Sequence, residues 1–358
     1  FMRTAYFPFL GGVNFFILTF IMNDLFEKLL VLRAPRIGPV RYAKLIAECG
    51  SCSAAVARLG LGQGHIDMVR REMDAAAAKG IHYICDDDPY YPAAMRAVKN
   101  HPPVITARGN LETLNRQAVS IVGTRHATAA GMGFVRDMAR EFAARGVVVA
   151  SGMAMGTDTA AHCGALAAGG RAQTIAVLAG GVDYIWPQEN ESLYRRITEC
   201  GVVISEMPVG FVPGPTNFVQ RNRWVAALGG KLILGEADLN SGSMTTARFA
   251  VEYGREIWAI PSHPADARAA GPNSLIAGGV AKLCSGISDF FPANANSDIK
   301  EKKLSPENIL LDAIGTIAVS ESVLADVVKK SVSEIKRDLV ILELQGLVRK
   351  IDGGYVRA

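Results

Sequence analysis

A chain of 358 residues exceeds what one ordinary hydrophobic core organises, so two or three domains are expected. With 49% hydrophobic and 20% charged residues it is globular, and a disordered or fibrous chain is excluded. A net charge of +4 is only mildly basic, so any anionic partner must be recognised by locally placed charge.

Residues 1–23 form an apolar N-terminal segment. The stretch 5–22 carries no charge and is about long enough to span a bilayer. Pro8, Gly11-Gly12 and Asn14 interrupt it, only Arg3 precedes it, and no small-x-small cleavage site closes it. The reading is a packed segment rather than a membrane anchor. From 24 to 84 the pattern is helical: Leu25, Leu29, Leu30 and Leu32, then Ala43, Leu45 and Ile46, then Ala54, Ala55, Val56 and Leu59 recur at helix spacing. The turn Arg36-Ile37-Gly38-Pro39-Val40 fits a helix-hairpin-helix whose amides face a phosphate, and equally a plain helix connector. Of the six cysteines (Cys49, Cys52, Cys85, Cys163, Cys200 and Cys284) only Cys49 and Cys52 are close, and no second pair completes a zinc site. Cys49-Gly50 reads as a helix end, and scattered thiols suit a reducing cytoplasm.

From 85 to 290 short apolar runs alternate with helical stretches. Strands are expected at 118–122, 147–150, 174–178, 201–204, 231–235 and 256–260, most followed by a glycine-containing turn and a helix. That rhythm is α/β, a Rossmann-like and mostly parallel sheet with helices on both faces and ligands at the strands' carboxyl ends. A polar linker, 291–306, carries Lys300-Glu301-Lys302-Lys303. Beyond it, helical stretches at 309–314, 322–328 and 332–344 precede two short runs around Asp352-Gly353-Gly354, the outline of a C-terminal winged helix over 307–358.

Four strand-end turns carry the chemistry. The first, Gly123-Thr124-Arg125-His126-Ala127-Thr128-Ala129-Ala130-Gly131, lets backbone amides and the hydroxyls of Thr124 and Thr128 approach an anion, with Arg125 at its centre. It lacks dinucleotide and Walker spacing, so a phosphodiester suits it better than a cradled pyrophosphate. The second, Ser151 onward, contains Asp158 and His162 four residues apart. An acid/base or metal pair is conceivable there, but no third ligand or nucleophile has suitable spacing, and a capping and local-bonding role is favoured. The third, Ser205-Glu206-Met207-Pro208, leads to Asn217-Phe218-Val219-Gln220-Arg221-Asn222-Arg223, a ring beside two guanidinium groups suited to bases and phosphates. The fourth, Glu236 and Ser241-Gly242-Ser243-Met244-Thr245-Thr246, is another hydroxyl-rich helix start. Arginines, hydroxyls and amides thus gather on one rim without a nucleophile and its base, which favours binding over catalysis, with no cofactor and no metal.

These motifs, with Gly156, Ala161-His162, Leu178-Ala179-Gly180-Gly181-Val182-Asp183 and Trp186-Pro187 in order, resemble the bacterial DNA-processing protein A family (DprA, also called Smf). The resemblance covers nearly all the chain after about Leu29. It implies a helical (helix-hairpin-helix or SAM-like) domain, a Rossmann-like domain and a winged helix. It also implies a cytoplasmic homodimer that binds single-stranded DNA in natural transformation, shields it and helps load the RecA recombinase. By position, Arg125 would contact phosphate, Phe218 would lie against a base, and Arg221 and Arg223 would shape the basic pocket. Asn273 and Ser274 would complete its rim, beside Gly123, Thr124, Thr128, Asn217, Asn222, Ser241, Ser243 and Thr245. Met155 stands where the family commonly carries an arginine, and Pro261-Ser262 where it often has Pro-Gly. The alternative is a phosphoribohydrolase-like enzyme using Glu206, Asp158 and His162, but the chain lacks the Pro-Gly-Gly-x-Gly-Thr run of such enzymes. In 307–358 acidic and basic residues nearly balance, so weak autonomous duplex binding and a protein-contact role are expected.

Overall fold

The computed structural model describes residues 15–170, 174–292, 310–311, 313–315 and 317–358, with side chains from residue 24 onward. The apolar run 5–22 therefore lies outside the described side chains, and linker residues 293–306 lie outside the described residues. Two compact units are present, Phe1–Phe291 and Pro292–Ala358.

Four helices open the first unit: α1 (Phe15–Leu32), α2 (Pro39–Cys49), α3 (Cys52–Leu59) and α4 (Gln63–Ala78). Their ends follow local chemistry. Gly50, at φ +80°, closes α2 with its N–H on Ile46, and the Ser51 hydroxyl caps α3 on the Ala54 amide at 3.1 Å. The expected helix end at Cys49-Gly50 is thus present. The Arg36–Pro39 turn joins α1 to α2, with Gly38 extended as cap and Pro39 at the first helical position. Leu25, Leu29, Val69 and Met73 bury the helices' apolar faces, and Arg33 forks onto Glu72 through two 2.8 Å bonds.

The centre is a nine-stranded sheet in the order β1-β2-β6-β5-β4-β3-β7-β8-β9. The strands are β1 (His82–Cys85), β2 (Val104–Gly109), β3 (Ala118–Val122), β4 (Val148–Ser151), β5 (Thr174–Val177), β6 (Val202–Ser205), β7 (Lys231–Leu234), β8 (Glu256–Ala259) and β9 (Lys282–Leu283). From β6 to β9 the pairings are parallel, while β1-β2 and β2-β6 are antiparallel. Strands β4, β5 and β6 are buried at every residue, as a sheet covered on both faces requires.

The remaining helices of this unit are α5 (Ala93–Arg96), α6 (Ala129–Ala144), α7 (Thr157–Ala167), α8 (Glu191–Cys200), α9 (Pro215–Leu228), α10 (Gly242–Glu252) and α11 (Ala270–Ala277). On one face α9 and α10 bury Trp224, Val225, Leu228 and Ala247; on the other, α6 and α7 bury Met138, Phe142, Ala161 and Ala165. Each large side chain so buried stabilises by about 1.5–3 kcal/mol. The chain runs from β3 outward through β4 and β5 to β6, then returns to the other side of β3 as β7. The carboxyl ends of β3 and β7 therefore flank a topological switch point, where the connecting loops part and leave a crevice.

The second unit contains α12 (Glu321–Val328), α13 (Val332–Leu344) and an antiparallel ribbon of β10 (Val348–Ile351) and β11 (Gly354–Arg357). Ser331 and Glu334 form a reciprocal capping box at the start of α13. Leu324, Ile335, Leu339, Val348 and Tyr355 build a separate core. Two helices and a ribbon turning at Gly353 (φ +91°) supply the last two helices and the wing of the expected winged helix, whose first expected stretch, 309–314, lies partly outside the described residues.

Candidate nucleic-acid interface

The turn after β3 is fixed by its neighbours. Its Thr124 amide donates to the Glu236 carbonyl at 2.6 Å, and the Thr157 amide donates to the Thr124 carbonyl at 3.2 Å. Glu236, two residues past the end of β7, accepts from the Thr128 amide at 2.7 Å and the Thr128 hydroxyl at 2.5 Å. The same hydroxyl accepts from Gly131 at 2.9 Å and caps α6. Ser243 donates to the Gly123 carbonyl at 2.7 Å. The hydroxyl protons of Thr128 and Ser243, expected to face an anion, are thus spent on holding the turn. Gly156 sits at φ +74°, and a Cβ there would meet the Arg125 carbonyl at 2.5 Å, so only glycine lets the second turn cross the first.

Beside this stitching lies a cleft of about 610 Å³, lined among others by Thr124, Arg125, Trp186, Phe218, Asn222 and Ser243. Arg125 is exposed and makes no ion pair among the described residues. Its Cζ lies 5.1 Å from the Trp186 ring centroid and 5.9 Å from that of Phe218. The two rings touch, centroids 4.6 Å apart and planes at 59°. Trp186 was not foreseen as a site residue; a Trp-Pro pair in a loop bracketed by Asp183 and Gln188 was its only sequence signal.

Arg221 forms the floor of the cleft. It is 6% exposed, and its Nη1 donates to the carbonyls of Gly152 and Val177 while Nε donates to Asn222 Oδ1 at 3.2 Å. Asp158 is buried beside it and accepts from the Ala154 amide at 3.2 Å. A Cβ on Gly152 would meet Arg221 Cζ at 2.7 Å and Asp158 Oδ2 at 2.8 Å, so the two charges flank that glycine. Burial raises the Asp158 carboxyl, opposed by the Arg221 guanidinium and by nearby amides. Burial also pulls Arg221 down to about 10, against the attraction of Asp158.

The other expected residues divide. Asn222 lines the cleft and donates to the Gly242 carbonyl at 3.3 Å. Ser241 also lines the cleft, its Oγ capping α10 by accepting from Met244 at 3.3 Å, whereas Asn217 lies outside the lining and caps α9, its Oδ1 accepting from Gly214 at 2.9 Å. Arg223 lies outside the cleft lining, paired to Glu206 at 2.8 Å and 4.1 Å from the Trp224 centroid. Thr245 is not in the lining, whereas its neighbour Thr246 is. Asn273 and Ser274 also fall outside it. Asn273 exchanges bonds with the Ser262 backbone at 2.9 and 3.3 Å, and Ser274 donates to Gly271 at 2.7 Å, so both organise α11. Met155 is exposed, beside but not within the lining.

The groups weighed for catalysis are engaged elsewhere. His162 is fully buried, with Nδ1 2.7 Å from Thr174 Oγ1. Because that hydroxyl donates to the Val149 carbonyl, Nδ1 carries the ring proton. Burial pulls the imidazole down to about 3, so it is neutral. Glu206 is paired with Arg223, and Asp158 serves the Ala154 amide. Among the described residues no three His, Cys, Asp or Glu side chains form a metal-binding group, and no helix is long and apolar enough to cross a membrane.

Residues 82–294, more than half of the chain, match the family described as DNA recombination-mediator protein A, and residues 23–75 match a DprA-like N-terminal HHH domain. The chain is 33% identical over 291 residues to Protein Smf of Escherichia coli, covering 77% of each. It is 36% identical over 211 residues to Protein Smf of a Synechocystis strain, covering 58% of this chain and 52% of that one, so it spans about half of that relative. Among solved structures, DNA processing protein A from Helicobacter pylori, described for its single-stranded DNA binding mode, aligns with TM-score 0.53 and 32% identity over 58% of this chain and 93% of that one. DprA from Streptococcus pneumoniae aligns with TM-score 0.60 and 27% identity over 78% and 98%. The fold, the order of the strand-end turns and these matches agree, and the chain belongs to the DNA recombination-mediator protein A family.

Proposed function

We propose that the cleft at the β3–β7 switch point binds single-stranded DNA without strong sequence preference. The observation that carries this is Arg125, exposed and without a carboxylate partner among the described residues, over the partly exposed rings of Trp186 and Phe218. A guanidinium held at a fixed turn binds any phosphate, and ring faces stack any base, so the pair recognises nucleic acid without reading its sequence. Bases paired in a duplex keep their faces stacked, which is why a single strand is the favoured ligand. The Helicobacter pylori relative's single-stranded DNA binding mode supports the same assignment.

On this reading the protein works in the cytoplasm as a homodimer joined through its central domain, shields incoming DNA in transformation and hands it to RecA. A labelled oligo-dT, competed with duplex of equal length, tests the ligand class. Single-strand competitor should displace the label at least tenfold more effectively than duplex. Equal competition, together with base release from nucleoside monophosphates, would instead establish a nucleotide hydrolase.

A further inference from the structure

Arg125, Trp186 and Phe218 close on one another at the mouth of the cleft. The ring centroids are 4.6 Å apart. A base held between two rings would need them about 7 Å apart, two van der Waals contacts of ~3.5 Å each. The pair therefore offers a base only its outer faces. All three side chains line the cleft, and the Arg125 guanidinium lies over both rings, 5.1 and 5.9 Å from their centroids.

We infer that Arg125 is a placeholder: in the free protein its guanidinium occupies the place a base takes in the complex, and Trp186 is a stacking surface beside Phe218. The inference rests on the nucleic-acid reading above. The ligand is a single-stranded oligonucleotide. One phosphate draws the guanidinium off the rings, and the adjoining base replaces it. Among the described residues no carboxylate holds Arg125, so it is free to move, whereas Arg221 is tied to two carbonyls and Arg223 to Glu206. Phosphate capture and base stacking are then one event, and a base arriving without a phosphate must displace the cation unaided.

That consequence is testable in the full chain. Adenosine, a base without phosphate, is titrated against Trp186 emission in a Trp258→Phe background, Trp224 being buried at 1% exposure. A guanidinium over an exposed ring is worth about a two- to five-fold change in affinity. Arg125→Ala and Arg125→Gln should therefore bind adenosine two- to five-fold more tightly, by that same measure, while binding oligo-dT more weakly. Trp186→Phe should abolish the adenosine signal. Equal or weaker adenosine binding in the Arg125 variants, or no saturable signal in either protein, overturns the placeholder while leaving the single-strand reading intact. Oligo-dT affinity independent of Arg125 overturns both.

Discussion

Replacing Arg221 by methionine keeps the aliphatic stem and removes a charge that is 6% exposed. The carbonyls of Gly152 and Val177 lose their donor, and Asp158 is left as a buried carboxylate with its guanidinium gone. Arg221 and Asp158 are not in salt-bridge contact, but removing a buried guanidinium that neutralises a neighbouring buried carboxylate and serves two carbonyls should cost about 3–5 kcal/mol, as for breaking a buried ion pair. Arg125→Met, at an exposed side chain, should change stability by less than about 0.5 kcal/mol. Urea unfolding followed by tryptophan emission separates the two, because Trp224 is buried in the same central core. The deficit should also depend on pH. Burial already raises the Asp158 carboxyl, and loss of Arg221 raises it further. The folded chain then keeps a proton that the unfolded chain has released. The penalty is complete above the folded value and absent below the unfolded value of about 4, so the deficit shrinks as pH falls from neutral. Adding Asp158→Asn should recover part of the stability and flatten that pH dependence. An Arg221→Met chain within about 1 kcal/mol of the parent at neutral pH would refute the reasoning.

Three further outcomes follow from the geometry. Gly152→Ala should destabilise by about 1–3 kcal/mol in the same assay, since its Cβ would meet Arg221 Cζ at 2.7 Å. Glu236→Gln replaces one of the two acceptors facing Thr128 with a donor, which should cost about 1–3 kcal/mol and weaken oligo-dT binding by loosening the Arg125 turn. The isolated C-terminal unit, with Lys330 paired to Asp338 at 2.8 Å and Lys336 to Glu321 at 3.3 Å, should bind duplex no more tightly than about 1 µM at moderate salt, measured by anisotropy.

The central sheet was legible because β3 to β8 are apolar runs, most of them followed by a glycine-containing turn, and each expected strand overlaps its observed one. Three strands were not anticipated. β1 and β2 form the antiparallel edge without a βαβ rhythm, and β9 is two exposed residues. Residue type located the four turns, but it could not say which donors were already taken. Thr128, Ser243 and Arg221 have the right chemistry for an anion, yet their hydrogen bonds close on Glu236, Gly123, Gly152 and Val177. Asn273 and Ser274 were placed by analogy of position and instead bond the backbone of their own neighbourhood. Trp186 was missed for the opposite reason. It lies in a loop with no periodicity, and only the return of α9 brings Phe218 against it.

The most direct test of a phosphate-binding Arg125 is the salt dependence of oligo-dT affinity in the parent, Arg125→Ala and Arg223→Ala. Log affinity should fall steeply with log salt for the parent, with a slope shallower by about 0.7 for Arg125→Ala and unchanged for Arg223→Ala, whose charge is already paired to Glu206. An unchanged slope in Arg125→Ala would contradict phosphate binding by Arg125.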